Sequence, residues 1–211
     1  MSTHPTILHG DCSLVMRDLE GSSVDFVLTD PPYGVRYRSR TGQSIANDDH
    51  LTWLYPAFAE VYRVLKPGCL CFSFYGWQAA DQFLTAWKAI GFRVVGHVVF
   101  SKRYAASRQF FQHRHEQGYL LAEGSAGLPA EPLPDVLPWA YTGNRLHPTQ
   151  KPVRPLQGLI ESFCKPGGIV LDPFCGSGST LLAAKLAQRR FIGIELDAGH
   201  HATALKRLAA A

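Results

Sequence analysis

Asp30-Pro31-Pro32-Tyr33 puts a carboxylate, a stiff pair of prolines and an aromatic ring within four residues, a set that can hold the exocyclic amine of a flat nucleobase. The ring lies against a base face, while the carboxylate and a carbonyl freed from ordinary backbone pairing accept the two amino hydrogens. Two consecutive prolines fix φ, donate no N–H and restrict the residue before them, so the direction of that carbonyl is set in advance. An Asp before Pro-Pro, with Gly34 after it, is also ordinary loop punctuation following a strand. Taken alone, the tetrapeptide leaves both readings open.

A second segment bears on the choice. Val170-Leu171-Asp172-Pro173-Phe174-Cys175-Gly176-Ser177-Gly178-Ser179-Thr180 runs an apolar strand into a glycine-rich turn that opens a helix, the place where open α/β sheets bind nucleotides. Leu181 stands where the dinucleotide fingerprint has its third glycine, and no Gly-Lys-Ser/Thr follows to cradle a phosphate. A turn that permits close backbone approach without phosphate machinery suits an adenosine cofactor carrying no phosphate. Glu195 closes the apolar segment Phe191-Ile192-Gly193-Ile194, where an acid can accept hydrogen bonds from both ribose hydroxyls.

Together these segments resemble the S-adenosylmethionine-dependent amino-methyltransferases of DNA. Their order, tetrapeptide before cofactor loop, resembles the circularly permuted beta group of that family. His9-Gly10-Asp11-Cys12 is similar to the family's amino-terminal Gly-Asp element, whose acid contacts the cofactor adenine. Leu146-His147-Pro148-Thr149-Gln150-Lys151-Pro152 is similar to the segment that lines the methionine end, and it also reads as a helix start with Pro152 as first helical residue. The resemblance runs from His9 to about Glu195. It implies an α/β, Rossmann-like methyltransferase fold with a mostly parallel seven-stranded sheet and one antiparallel strand. It implies catalytic roles for Asp30, Pro31, Pro32 and Tyr33. Cofactor contacts are implied for Asp11, Cys12, Asp30, His147, Thr149, Gln150 and Lys151, for Asp172 through Thr180, and for Glu195 and Leu196.

The reaction so implied is direct methyl transfer to an exocyclic amine. Asp30 and the Pro31 carbonyl accept the amino hydrogens and stabilise the positive charge that develops on nitrogen, and Tyr33 stacks on a base flipped out of the duplex. In the family, an aspartate before Pro-Pro-Tyr goes mostly with the N6 amine of adenine and a serine mostly with the N4 amine of cytosine, so adenine is expected. Cytosine N4 transfer, adenine N6 transfer on RNA and a non-catalytic nucleic-acid-binding module are the alternatives. Larger family members carry a target-recognition region between the two halves, whereas here 122–146 is about the size of a loop. No nuclease signature accompanies these motifs, so a solitary modification enzyme, as in mobile elements and phages, is expected.

Composition agrees with a double-stranded DNA partner without requiring one. The chain has 211 residues, 46% hydrophobic and 18% charged, and a net charge of +4. Its basic residues are concentrated. No acid occurs from Pro31 to Asn47, where Arg36, Arg38 and Arg40 flank Tyr37, and Lys102, Arg103, Arg108 and Arg114 interleave with Tyr104, Phe110 and Phe111. Basic groups neutralise phosphates and aromatic faces stack on bases, although basic loops are also common as solvated surface. The five cysteines are scattered, never in Cys-x-x-Cys spacing, and none of the nine histidines has ligand spacing, so free thiols and no metal are expected. Cys69 and Cys71 share a strand face as small buried side chains. No apolar run is long enough for a bilayer and the first residues lack the regions of a signal peptide; a cytoplasmic protein, with a homodimer as one option, is the expectation.

The elements that must position these groups alternate in the manner of a parallel sheet. Apolar runs at 7–9, 24–29, 70–75, 93–100, 118–121, 169–171 and 191–195 read as strands, and 13–20, 51–65, 77–90, 152–164, 179–190 and 198–210 as helices, with Gly68 and Gly91 as stops. One domain over 1–211 is expected: a catalytic half (1–121), a loop (122–146) and a cofactor-binding half (147–211).

Overall fold

The computed structural model describes residues 6–37, 42, 45–106, 110–143, 146–147 and 149–211. Eight strands form one sheet: β1 (Thr6–His9), β2 (Val24–Thr29), β3 (Leu65–Phe74), β4 (Arg93–Lys102), β5 (His115–Ala122), β6 (Val136–Trp139), β7 (Ile169–Asp172) and β8 (Arg190–Glu195). The spatial order is β1-β8-β7-β2-β3-β5-β4-β6. β5 pairs antiparallel with both β3 and β4, and every other pairing is parallel. The expected single reversed strand is therefore present, while the sheet has one strand more than expected. That strand, β6, lies in the stretch expected to be a loop, where Pro138 interrupts any alternating pattern; Pro is tolerated because β6 is an edge.

Helices cover both faces. α2 (Leu54–Val64) and α3 (Ala80–Ile90) bury Phe58, Val61, Phe83 and Trp87 against Val27 and Cys71. On the other face α4 (Val153–Phe163), α5 (Ser179–Leu186) and α6 (Ala198–Ala209) bury Leu159, Ile160, Leu181 and Leu208 against Phe26, Leu28 and Phe72. Neighbouring residues of β2 thus serve opposite layers, and all six of its residues are buried, as a central parallel strand requires. The short α1 (Cys12–Val15) passes into a 3-10 turn at Met16–Asp18.

Some boundaries differ from expectation for local reasons. Gly91, at φ +119°, ends α3 as a left-handed cap. Gly68 is no helix stop, because β3 begins directly at Leu65 and Gly68 (φ +76°) lies in a bulge whose register jumps from Val24↔Leu65 to Phe26↔Leu70. Pro152 is the N-cap of α4 rather than its first turn, and α5 stops at Leu186, ahead of a left-handed turn at Gln188. Among the described residues no helix is long and apolar enough to cross a membrane.

The buried acid of β2 anchors the sheet. Asp25 accepts the Ile169 N–H at 2.9 Å and pairs with Lys66 at 2.8 Å and Lys165 at 3.3 Å, tying the start of β7 to β2. At Gly118 in β5 a Cβ would stand 2.4 Å from the Phe72 ring and 3.0 Å from the Ser73 carbonyl. Gly118→Ala is expected to destabilise the fold by about 1–3 kcal/mol through overpacking, seen in urea as a lower midpoint at unchanged slope.

Candidate active site

Because β1, β8, β7, β2, β4 and β6 all run the same way, their carboxyl ends meet at one edge of the sheet, as does the amino end of the reversed β5. A single cleft of about 880 Å³ opens there, within the roughly 300–1,000 Å³ usual for small-molecule sites. Asp11 and Cys12 reach it from β1, Glu195 and Leu196 from β8, Asp172 to Ser177 from β7, and Asp30 to Tyr33 from β2. His147, Thr149, Gln150 and Lys151 enter from the segment before α4, and Ser179 and Thr180 from the first turn of α5. Gly178 is the exception among the expected cofactor contacts. It does not line the cleft; at φ +78° it begins α5 facing α6, where a Cβ would stand 3.0 Å from Leu208 and 3.3 Å from Ala204.

The Asp30 to Tyr33 tetrapeptide is held by a residue that sequence reasoning missed. Asp48, 2% exposed, accepts the N–H groups of Tyr33 at 2.7 Å and Gly34 at 2.9 Å on Oδ1, and that of Tyr37 at 2.6 Å on Oδ2. It is the first acid after the acid-free basic stretch, which was the available signal. Gly76 contributes by absence, since a Cβ there would lie 2.8 Å from that of Tyr33. The Tyr33 hydroxyl donates to Asp30 Oδ1 at 2.6 Å.

Asp30 Oδ2 lies 2.6 Å from Lys151 Nζ, so Lys151, expected at the cofactor, meets the carboxylate of the tetrapeptide. Burial pushes the Asp30 acid up, opposed by Lys151 and the Tyr33 hydroxyl. Burial also works against the Lys151 ammonium, but Asp30 and Glu116 outweigh it and hold the lysine above its ordinary range. Glu116, at the start of β5, is paired with Lys102 of β4. Lys102 is consequently buried and committed to an acid in the cleft, not free to meet a phosphate. Sequence spacing hid this because Lys102 and Glu116 are cross-strand diagonal neighbours.

The other half of the cleft is built on the glycine turn. Cys175 N–H donates to Ile194 O at 2.9 Å, and Arg207 of α6 donates to Ser177 O at 3.1 Å and Ser179 Oγ at 3.0 Å. Glu195 accepts the N–H of Gly176 on Oε2 and that of Asp197 on Oε1, both at 2.8 Å, and each carboxylate oxygen has a further lone pair for a ribose hydroxyl. Asp11 caps α1 by accepting from Ser13 N–H at 2.8 Å and Ser13 Oγ at 2.7 Å. His147 Nδ1 lies 3.2 Å from Thr149 N and 3.1 Å from Thr149 Oγ1, and burial with His200 nearby lowers its pKa to about 4, leaving a neutral ring. Asp172 is pushed up to about 7 by burial, against the pull of the Thr180 hydroxyl and the Phe174 N–H. Burial raises the thiols of Cys12 and Cys175, consistent with packing rather than nucleophilic roles.

Of the expected nucleic-acid contacts, Arg36, Arg103 and Arg114 are exposed and Tyr37 is half-buried at the rim. Arg38, Arg40 and Arg108 lie outside the described residues. Phe110 is 98% and Phe111 79% exposed, on a connection whose stem closes through Lys102 N–H to Arg114 O and Ala106 N–H to His113 O. Tyr104, Trp139 and Tyr141 add aromatic lining to the cleft, with the Tyr104 and Tyr141 rings in edge contact.

A doubly wound sheet that brings an Asp-Pro-Pro-Tyr tetrapeptide and a glycine turn without phosphate machinery to one edge has the architecture of a Rossmann-like methyltransferase. The model of the N6/N4 DNA methylase family matches residues 24–133 and 132–206, and the chain belongs to that family. It is 55% identical to the Escherichia coli (strain K12) protein YubD over 96% of this chain and 89% of that one. It is 28% identical to the DNA adenine methyltransferase YhdJ of the same strain, over 96% and 82%. Among solved structures, the M1.HpyAVI–SAM complex is 26% identical with a TM-score of 0.76, covering 96% of this chain and 98% of that one. The cytosine-N4-specific PvuII DNA methyltransferase, 16% identical with a TM-score of 0.79 over 96% and 85%, shares the fold.

Two outcomes are expected. Asp48→Ala should reduce methyl transfer by at least about tenfold while cofactor affinity stays near wild type, since misplacing a reacting group by roughly 1 Å can lose about 10²-fold; calorimetric titration and single-turnover rates separate the two. Asp172, protonated more readily folded than unfolded, adds stability that is complete below pH 4 and lost as pH rises through about 7. Asp172→Asn should flatten that decline in melting temperature between pH 4 and 7.5.

Proposed function

We propose that this DNA methyltransferase transfers a methyl group from S-adenosylmethionine to the N6 amine of adenine in double-stranded DNA, on a base flipped into the cleft. The observation that carries this reading is the convergence of Asp30, Pro31 and Tyr33 with the glycine turn of Asp172 to Ser177 in one cleft. The cofactor is S-adenosylmethionine, which supplies an electrophilic methyl group on a sulfonium. The residues present suit it: a turn tight enough for close backbone approach at Gly176, an acid at the end of β8, and no phosphate-binding lysine in the turn. In this reading Glu195 receives the ribose hydroxyls, Asp11 and Cys12 flank the adenine, and His147 to Gln150 border the methionine end.

The amine is a weak nucleophile because its lone pair is delocalised into the ring. Asp30 and the Pro31 carbonyl accept its two hydrogens, draw the nitrogen toward tetrahedral geometry and stabilise the positive charge that forms as the new N–C bond is made. Asp48 fixes the loop so that this geometry exists before the base arrives, and in-line alignment of the two reactants supplies the remaining acceleration. Tyr33, Tyr104 and Tyr141 offer faces for the base, while Arg36, Arg103 and Arg114 neutralise phosphates at the rim.

Adenine is supported by the aspartate at position 30 and by the kinship with the DNA adenine methyltransferase YhdJ; cytosine N4 transfer is the second reading, since the family model spans both amines. The chain acts as one domain on DNA in the cytoplasm, with base selection by the loops around the cleft. Incubation with labelled cofactor and duplex DNA, duplex RNA or single strands, followed by nucleoside mass analysis, tests this. Labelled N6-methyladenine in duplex DNA is expected. N4-methylcytosine overturns the adenine assignment, and label in RNA alone overturns the DNA substrate. Asp30→Ala should abolish transfer with cofactor binding nearly intact.

A further inference from the structure

We propose that Lys151 is a positioning residue for methyl transfer, clamping Asp30 in its ionised form and aiming the carboxylate into the cleft; this rests on the amine-transfer reading above. Lys151 Nζ lies 2.6 Å from Asp30 Oδ2 and 3.5 Å from the Tyr33 hydroxyl, with the lysine side chain 10% exposed. Nζ also stands 5.1 Å above the Phe74 ring and 5.6 Å above that of Tyr33, so aromatic faces confine the ammonium on the sides that the acid does not. Lys151 directly precedes the N-cap of α4, which sets its backbone rigidly.

The charges around this pair alternate. Asp30 comes from the end of β2, Lys151 from the segment before α4, Glu116 from β5 and Lys102 from β4, and they sum to zero inside the cleft. Tyr33 and Tyr104 contribute hydroxyls, and Asp172 faces Asp30 from β7. Without Lys151 these groups are reduced to two acids and one lysine, and since Lys102 is already bound to Glu116, Asp30 is left unbalanced. Asp30 would then stand half-buried beside Glu116 with no cation of its own, and protonation would remove its negative charge and turn one acceptor position into a donor facing the amine. A compact ammonium suits this role, because it occupies one edge of Oδ2 and leaves other lone pairs of the carboxylate open; a forked guanidinium would take both oxygens.

Single-turnover methylation of duplex DNA at saturating cofactor, followed from pH 5.5 to 9, tests the assignment. For Lys151→Met the acid limb of the rate should move to higher pH by at least about one unit, a deficit of about tenfold on the acid side that shrinks as pH rises. Cofactor affinity by calorimetry should stay near wild type. Lys151→Arg should keep the limb at the wild-type pH even where its rate is lower. Glu116→Gln, which leaves Lys151 in place and needs no folded Met variant, should move the limb the opposite way, to lower pH. A Lys151→Met rate reduced by one factor at every pH, or a loss of cofactor affinity with the limb unmoved, overturns the proposal and returns Lys151 to structure or to the cofactor. So does a Glu116→Gln limb that stays or rises. A wild-type protein that labels no duplex DNA removes the amine-transfer reading itself, whereas an active wild type with unmoved limbs removes the Lys151 assignment alone.

Discussion

The parallel pairing of β2 with β7 is the constraint on which the site depends. Phe26 lies beside Val170 and Val27 beside Leu171, so both strands release their chains at the same edge of the sheet. Parallel neighbours need a long crossover, and here that crossover spans most of the protein, with four other strands formed before β7. Asp25 secures the pairing at the opposite edge, where its carboxylate bridges Lys66, Lys165 and the Ile169 N–H. A slip of one residue would turn Phe26 and Val27 to the wrong layers and rotate Asp30 away from the glycine turn.

Acids gather at one edge of the sheet, and three devices keep five of them in place. Asp48 is satisfied by backbone N–H groups, and Glu195 shares itself between two backbone donors and the cleft. Glu116 and Asp30 face lysines. Asp172 is held toward its neutral form by burial. Opposite environments thus set similar side chains apart: backbone donors hold one in a loop, lysines face two others, and burial favours the neutral form of a fourth.

Much of this was legible in the residues. The tetrapeptide taken alone is compatible with ordinary loop punctuation, and it is the glycine turn later in the chain, with the family resemblance the two carry together, that points to a flat base and a phosphate-free cofactor. The seven expected strands and the long helices appear where apolar periodicity placed them. β6 escaped notice because four residues with a central proline carry no pattern, and an edge strand can form without one. Gly178 was read as a ligand contact because it belongs to the glycine turn, yet its freedom is used for packing against Ala204 and Leu208.

What the sequence by itself determined is the chemistry available: which residues can accept an amine, which turn can admit a cofactor, and the fold class that carries both. Tertiary structure decided who those residues meet. Lys102, basic among aromatics, reads as a phosphate contact until the pairing of β4 with β5 sets it against Glu116, and Lys151 reads as a cofactor contact until it closes on Asp30. The reason is physical. Backbone preferences act over a few residues and leave a signature in the chain, whereas a buried charge takes its partner from whatever strand the sheet order brings within about 3 Å, and that order is a property of the whole fold.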